Sequence, residues 1–249
     1  MPIYRVILKF ERTKTLKLIL ALRIVRDIYN LLFPEMCPGC SVRLSPGERT
    51  ICTVCRHRLP VTEYHLIREN PVEKIFYGRV KIEFAAAFLL FRKKGVVQQL
   101  IHHLKYKGQS DIGIFLGKWY GACLSETGLR NKIDMVIPVP LHPKKQRKRG
   151  YNQVTAFAKC IADAVKADYR EDILIKTTNI KAQAFKNRLA RWKESESIFD
   201  IRQGIAFAPC HILLVDDVIT TGATLERCAR ALQKHGNVKV SIAVMAMTV

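Results

Sequence analysis

Two adjacent carboxylates, Asp216 and Asp217, stand between an apolar run and a hydroxyl-rich turn made of Thr220, Thr221, Gly222, Ala223 and Thr224. A turn that opens a helix presents free backbone N–H groups and the positive end of the helix dipole, which suits a phosphate. The threonine hydroxyls add donors, and Gly222 lets the backbone approach closely. Carboxylates repel a phosphate, so the acid pair needs another purpose. Vicinal sugar hydroxyls, or a Mg²⁺ shared with the ligand, supply one. A phosphate-cradling turn beside paired acids therefore reads as a ribose 5-phosphate site. The plainer alternative is a buried strand followed by a capped helix, which rarely carries Asp-Asp and then Thr-Thr-Gly.

A second constellation is Cys37-Pro-Gly-Cys40 and, eleven residues later, Cys52-Thr-Val-Cys55. Each pair forms a knuckle that aims two thiolates at one point, and two knuckles supply the four soft ligands of a closed tetrahedral Zn²⁺ site. Four protein ligands leave no open position, so the expected zinc is structural. A redox pair is the rival reading of a single Cys-x-x-Cys. Cys123, Cys160, Cys210 and Cys228 lack partner spacing and read as core residues. A third stretch, Lys144, Lys145, Gln146, Arg147, Lys148 and Arg149, puts five cations in six residues before Gly150. It is expected as a basic loop between a strand and a helix. It either covers an anionic substrate or is simply solvated, and nucleic-acid contact is compatible with both.

These groups must be positioned by α/β elements. Ile212 to Val215 is branched and apolar, as a strand buried on both faces requires, and is expected to end at the acid pair. Leu225, Cys228, Ala229 and Leu232 recur at helical spacing, with Gly236 placed to end the helix. Asp134 to Leu141 reads as a strand broken by Pro138 and Pro140, and a helix is expected from Asn152 as N-cap. One or two strands are expected over Arg79 to Leu90, helices over Gly95 to Lys107 and Ile112 to Leu124, and a last strand over Val238 to Val249. His102 and His103 are adjacent, cannot share a helix face, and are not read as ligands.

At 249 residues, with 49% hydrophobic residues, the chain can build one substantial core and an appendage and is not largely disordered. The expected division is a basic amphipathic helical segment over 1–34, a zinc ribbon over 35–60 and an α/β domain over 61–249. Its 42 Lys and Arg against 21 Asp and Glu give a net charge of +21, which attracts polyanions without choosing among them. Lys17, Arg23, Arg26 and Asp27 interrupt the apolar stretch Leu16 to Phe33, so neither a secretory signal nor stable membrane insertion is expected. An amphipathic helix there covers a core or lies at a membrane interface. A cytoplasmic, reducing location is expected, with no disulfide framework.

The order of a four-cysteine ribbon, LKYKG, DMVIPVPLHPKKQRKRGYNQ and ILLVDDVITTGATL resembles the ComF family, amidophosphoribosyltransferase-like proteins linked to DNA uptake in competent bacteria. The likeness covers roughly residue 35 to the end. It implies a type I phosphoribosyltransferase fold, with a five-stranded parallel sheet flanked by helices and a small hood. It also implies a phosphoribosyl diphosphate (PRPP) site used with Mg²⁺. By that resemblance Asp216 and Asp217 hold the ribose hydroxyls and Thr220 to Thr224 the 5′-phosphate. The Val139-Pro140 turn lies at the site, and Lys144, Lys145, Arg147, Lys148 and Arg149 meet the diphosphate. Gln183, Arg191 and Phe199 fit a further family pattern, in which Glu194 stands in place of Asn. Two functions follow: transfer of the phosphoribosyl group, or non-catalytic sensing of PRPP by a protein that grips single-stranded DNA. In the second, the partners are DNA and the uptake or recombination machinery. The ribbon and the basic N-terminus, eleven cations against four anions through Thr62, then make the grip.

Overall fold

The computed structural model describes residues 31–176, 199–205 and 207–249. Most of the amphipathic helix expected before Pro34, and Gln183, Arg191 and Glu194, lie outside them. The strands in chain order are β1 (Phe84–Phe91), β2 (Met135–Pro138), β3 (Asp168–Tyr169), β4 (Leu174–Lys176), β5 (Phe199–Ile201), β6 (Cys210–Ile219) and β7 (Val238–Thr248). Five form an all-parallel sheet in the order β1-β7-β6-β2-β3, while β4 and β5 pair antiparallel beside it. This is the expected five-stranded parallel core.

The helices are α1 (Thr53–His57), α2 (Pro71–Lys74), α3 (Val96–Tyr106), α4 (Ser110–Glu126), α5 (Pro143–Arg149), α6 (Thr155–Val165) and α7 (Ala223–Gln233). Because side chains alternate across a strand, Leu213 and Val215 pack with α3, α4 and α6 on one face. Ile212 and Leu214 pack with α7 on the other. Both faces of the sheet are therefore covered, which is why its central strands read as continuous apolar runs. Cys37, Ile51, Cys52, Cys55 and Leu59 belong to the same buried cluster as α3 and α4, so the cysteine segment is continuous with the main core. The chain then runs back along β1, where the Thr62 N–H donates to Phe88 O (3.0 Å) and Asn70 Nδ2 to Ala85 O (2.9 Å).

Three local expectations are corrected. The strand carrying the acid pair does not end at Val215: β7 is long enough to pair with β6 as far as Ile219↔Met247, so the ladder carries through both aspartates. The basic run is not a loop but the helix α5. It opens on Pro143, whose fixed φ suits a first helical position, and closes at Gly150, where φ is +78°. Asn152 does not cap the next helix, which begins at Thr155. Its side chain instead accepts from the Val154 N–H (3.2 Å) and donates to Val139 O (3.0 Å), tying α6 to the end of β2.

Helix α4 lies unusually close to α6. A Cβ at Gly117 would sit 2.8 Å from Phe157 O and 2.9 Å from Cys160 Cβ. Alanine in a helix interior gains about 1 kcal/mol of propensity over glycine, but overpacking costs about 1–3 kcal/mol. Backbone cannot rotate aside, so the clash wins. Gly117→Ala is expected to lower the melting temperature by several degrees in a thermal scan; an unchanged or higher value would mean that α6 can shift.

Candidate functional site

The crevice lies where β2 and β6 part. β2 pairs with β6 only as far as Pro138↔Val215, followed by one further bond from the Val139 N–H to Val215 O (2.9 Å). Pro140 then has no N–H to give. Beyond Val215, β6 is paired on its β7 side alone. From β2 the chain goes to α6 and β3, and from β6 to α7 and β7, so neighbouring strands lead their helices to opposite faces. Open parallel sheets bind ligands at such a switch point, outside the carboxyl ends of the strands.

Four elements meet there. At the end of β6, Thr220 and Thr221 are exposed, and Gly222 opens α7 with φ +72°. No side chain caps this helix, so the N–H groups of Ala223, Thr224 and Leu225 have no partner within it or from a cap. Gly222 is required for a reason the sequence does not show. A Cβ there would lie 2.5 Å from Ile75 Cγ2 and 3.2 Å from the Phe76 ring, so the glycine admits the segment after α2. Arg79 from that segment donates to Thr221 O (2.8 Å) and pairs with Glu226 on α7, fixing the turn from outside.

The two aspartates are not equivalent. Asp217 is 6% exposed and faces three donors. Its Oδ1 accepts from the Val218 N–H (2.7 Å), and its Oδ2 from Gln153 Nε2 (2.6 Å) and Lys105 Nζ (2.9 Å). Asp216 is partly buried, and its Oδ1 accepts from the Asp217 N–H (2.8 Å). Burial, and then the neighbouring Asp217 charge, push its carboxyl up to about 8, against the pull of Lys105 and Lys176. Lys176, at the end of β4 and 4.9 Å from the Phe199 ring centroid, is pulled below the usual lysine range by burial and by the like charge of Lys145.

Gln153 carries the network onward, its Oε1 accepting from Arg149 Nη1 (2.7 Å). The Arg149 guanidinium lies 5.2 Å from the Tyr106 ring centroid, and the Tyr151 hydroxyl donates to Leu104 O. The end of α5, the end of α3 and the acid pair are thus one hydrogen-bonded unit. Lys145, Arg147 and Lys148 project from α5 into solvent. On so short a helix Lys145 and Arg149 are like charges at i,i+4, a repulsion that an anion would relieve. Reasoning from residue types alone missed Lys105, Gln153 and Lys176. The first two lie inside LKYKG and RGYNQ, which marked the stretches without assigning roles; Lys176 had no signal.

A protein-family profile described as the phosphoribosyl transferase domain matches residues 157–247. The competence protein ComFC of Streptococcus pneumoniae is 33% identical over 203 residues, covering 81% of this chain and 76% of its own. This chain belongs to the ComF family. Two further members show the spread. ComFC of Bacillus subtilis is 27% identical across 83% of this chain and 82% of its own. The DNA utilization protein YhgH of Escherichia coli (strain K12) is 25% identical across 88% of this chain and 99% of its own. The fold class expected from the sequence, a type I phosphoribosyltransferase sheet with a four-cysteine segment before it, is therefore the one found.

The Sγ atoms of Cys37, Cys40, Cys52 and Cys55 lie within 4.8 Å of one another, three of these residues being buried. Backbone N–H groups of Cys52 and Cys55 approach the Cys37 and Cys52 sulfurs at 3.3 and 3.4 Å. Four convergent sulfurs with amide support fit a metal ion such as zinc. No described cysteine is disulfide-bonded, and no described helix is long and apolar enough to cross a membrane. Metal analysis of gently purified protein should find about one such ion per chain. Substituting Cys37→Ser with Cys52→Ser should abolish it, and full retention in that variant would refute the assignment.

Proposed function

We propose that this ComF-family protein binds PRPP with Mg²⁺ at the β2–β6 crevice and transfers or senses its phosphoribosyl group. The observation that carries the reading is the convergence, on one network, of three anion-and-sugar elements. The uncapped start of α7, with Thr220 to Thr224, suits the 5′-phosphate. The acid pair suits the ribose hydroxyls. The cationic α5, with Lys144, Lys145, Arg147, Lys148 and Arg149, suits a diphosphate, and the Val139-Pro140 turn forms the wall between them. Asp216 and the ligand's own oxygens would hold the Mg²⁺, whose role is to offset charge on the departing diphosphate. Arg149, anchored by Gln153, adds fixed positive charge on the same side. No side chain stands out as a general base, so the work supported here is electrostatic.

Calorimetry should detect PRPP with Mg²⁺, and ribose 5-phosphate more weakly because it lacks the diphosphate. Asp216→Ala combined with Asp217→Ala should cost roughly 2–5 kcal/mol, since sugar hydroxyls lose their acceptors. The affinity should rise with pH towards about 8, because burial retains a proton on Asp216 that a hydroxyl donor or cation must displace. Equal affinity in both proteins would sink the reading. Diphosphate release with a panel of amines and nucleobases then separates an enzyme from a sensor.

Single-stranded DNA binding is the second reading, supported by the +21 charge and by relatives named for competence and DNA utilization. Arg43, Arg49, Arg56 and Arg58 are exposed on the cysteine-bearing segment, with Arg56 5.4 Å from the Trp119 ring centroid. Fluorescence titrations should give an affinity with little sequence preference that falls steeply as salt rises. A salt-independent affinity would exclude this mode.

A further inference from the structure

Helix α7 has a second face that the crevice does not use. Its buried side carries Leu225, Cys228, Ala229 and Leu232, which pack against the sheet. Arg227, Arg230 and the C-cap Lys234 recur at i, i+3 and i+7, which puts them in one stripe on the opposite side. A charged stripe opposite a buried one is ordinary for an amphipathic helix. Here the stripe carries cations alone, and it lines a groove of about 860 Å³ that β5 borders through Phe199 and Asp200. That volume lies in the range of small-ligand sites.

Arg79, from the segment before β1, adds a fourth permanent cation, and the carboxylates in the groove are Glu226 and Asp200. Glu226 is already engaged. Its Oε2 accepts from Arg79 Nε (2.9 Å) and its Oε1 from Arg230 Nε (3.1 Å). Arg79 is fixed further by donating from Nη1 to Ile75 O (3.0 Å) and Thr221 O (2.8 Å). Arg230 Nη2 donates to Arg79 O, which holds this guanidinium in place and leaves its Nη1 without a partner among the described residues. Arg227 and Lys234 form no ion pair among the described residues. The groove therefore gathers like charges that the protein does not neutralise, and part of the array is rigid before any ligand arrives. Fixed guanidiniums suit phosphate oxygens. Asp200 supplies the contrasting group. Its Oδ1 accepts from the Ile201 N–H (2.8 Å) and lies 3.7 Å from His235 Nε2, which leaves Oδ2 for a hydroxyl or amine donor.

We propose that this groove is a second anion site, separate from the β2–β6 crevice. It takes a small ligand that joins linked phosphates to a hydroxyl-bearing sugar, of the size of a nucleoside polyphosphate. The stripe from Arg227 to Lys234 covers about 10 Å of helix, a length that a short polyphosphate can follow. A nucleic-acid strand fits less well, because Asp200 and Glu226 would repel a backbone running the length of the groove.

Calorimetry on the full chain tests this with inorganic triphosphate, adenosine triphosphate and a short thymidine oligonucleotide. Lys145→Gln with Lys148→Gln, which removes charge from α5, the other place a polyphosphate could go, serves as the background. There inorganic triphosphate should still bind, and adenosine triphosphate more tightly. Adding Arg227→Gln with Lys234→Gln should weaken both by at least about tenfold, since charge-assisted hydrogen bonds are lost. The melting temperature should hold, because neither side chain makes an ion pair. Equal triphosphate affinity with and without the stripe would overturn the site. An oligonucleotide that loses affinity with the stripe while triphosphate does not would give the face to a strand's backbone, and the small-ligand proposal would be wrong.

Should the combined variant not fold, wild-type protein decides. Inorganic triphosphate should then protect Lys234 from amine acetylation, read by mass spectrometry, while leaving the exposed Lys118 on α4 as reactive as before. Lys234 labelled equally with and without triphosphate would refute the groove. No arm uses PRPP, so failure here leaves the reading of the crevice standing, and failure of that reading leaves this one.

Discussion

The site depends on keeping one charge buried. Asp217 sits inside the end of the sheet, where a charge left without partners is costly to bury. Lys105 comes from α3 and Gln153 from the turn before α6, and neither is a sequence neighbour of β6. Their convergence ties the end of α3, the turn before α6 and, through Gln153, Arg149 to one carboxylate. The arrangement of the crevice follows from the solution to this one desolvation problem.

Much of the fold was legible because the parallel sheet writes itself as short apolar runs separated by amphipathic helices. Ile212 to Val215 and Val238 to Val249 were readable as strands, and Gly95 to Lys107 and Ile112 to Leu124 as helices, since each carries its own period. What was not legible depended on partners. The strand with the acid pair runs on to Ile219 because β7 supplies a ladder, a property of β7's length and not of Asp216 or Asp217. Five cations look like a solvated loop when counted, but Pro143 and Gly150 give α5 a start and a stop.

The candidate site divides in the same way. Residue types exposed the acid pair, the threonine turn and the cysteines, because each is chemically odd where it stands. Lys105 and Gln153 are ordinary in sequence, one near a helix end and the other beside an asparagine, and only the fold brings them to Asp217. Gly222 carried the opposite lesson. Its need was visible, but the fold adds a reason the sequence did not show, Ile75 and Phe76 pressing on it.

The four-cysteine segment shares its buried neighbours with α3 and α4. A metal held there is therefore a ligand of the folded state, and by mass action its free concentration enters the stability of everything packed on that cluster. Lys105 lies in the last turn of α3, so a metal held by those thiolates and the ion pair at Asp217 would draw on the same equilibrium. Whatever loosens the packing around those cysteines loosens α3 as well, and with it the helix end that brings Lys105 to Asp217.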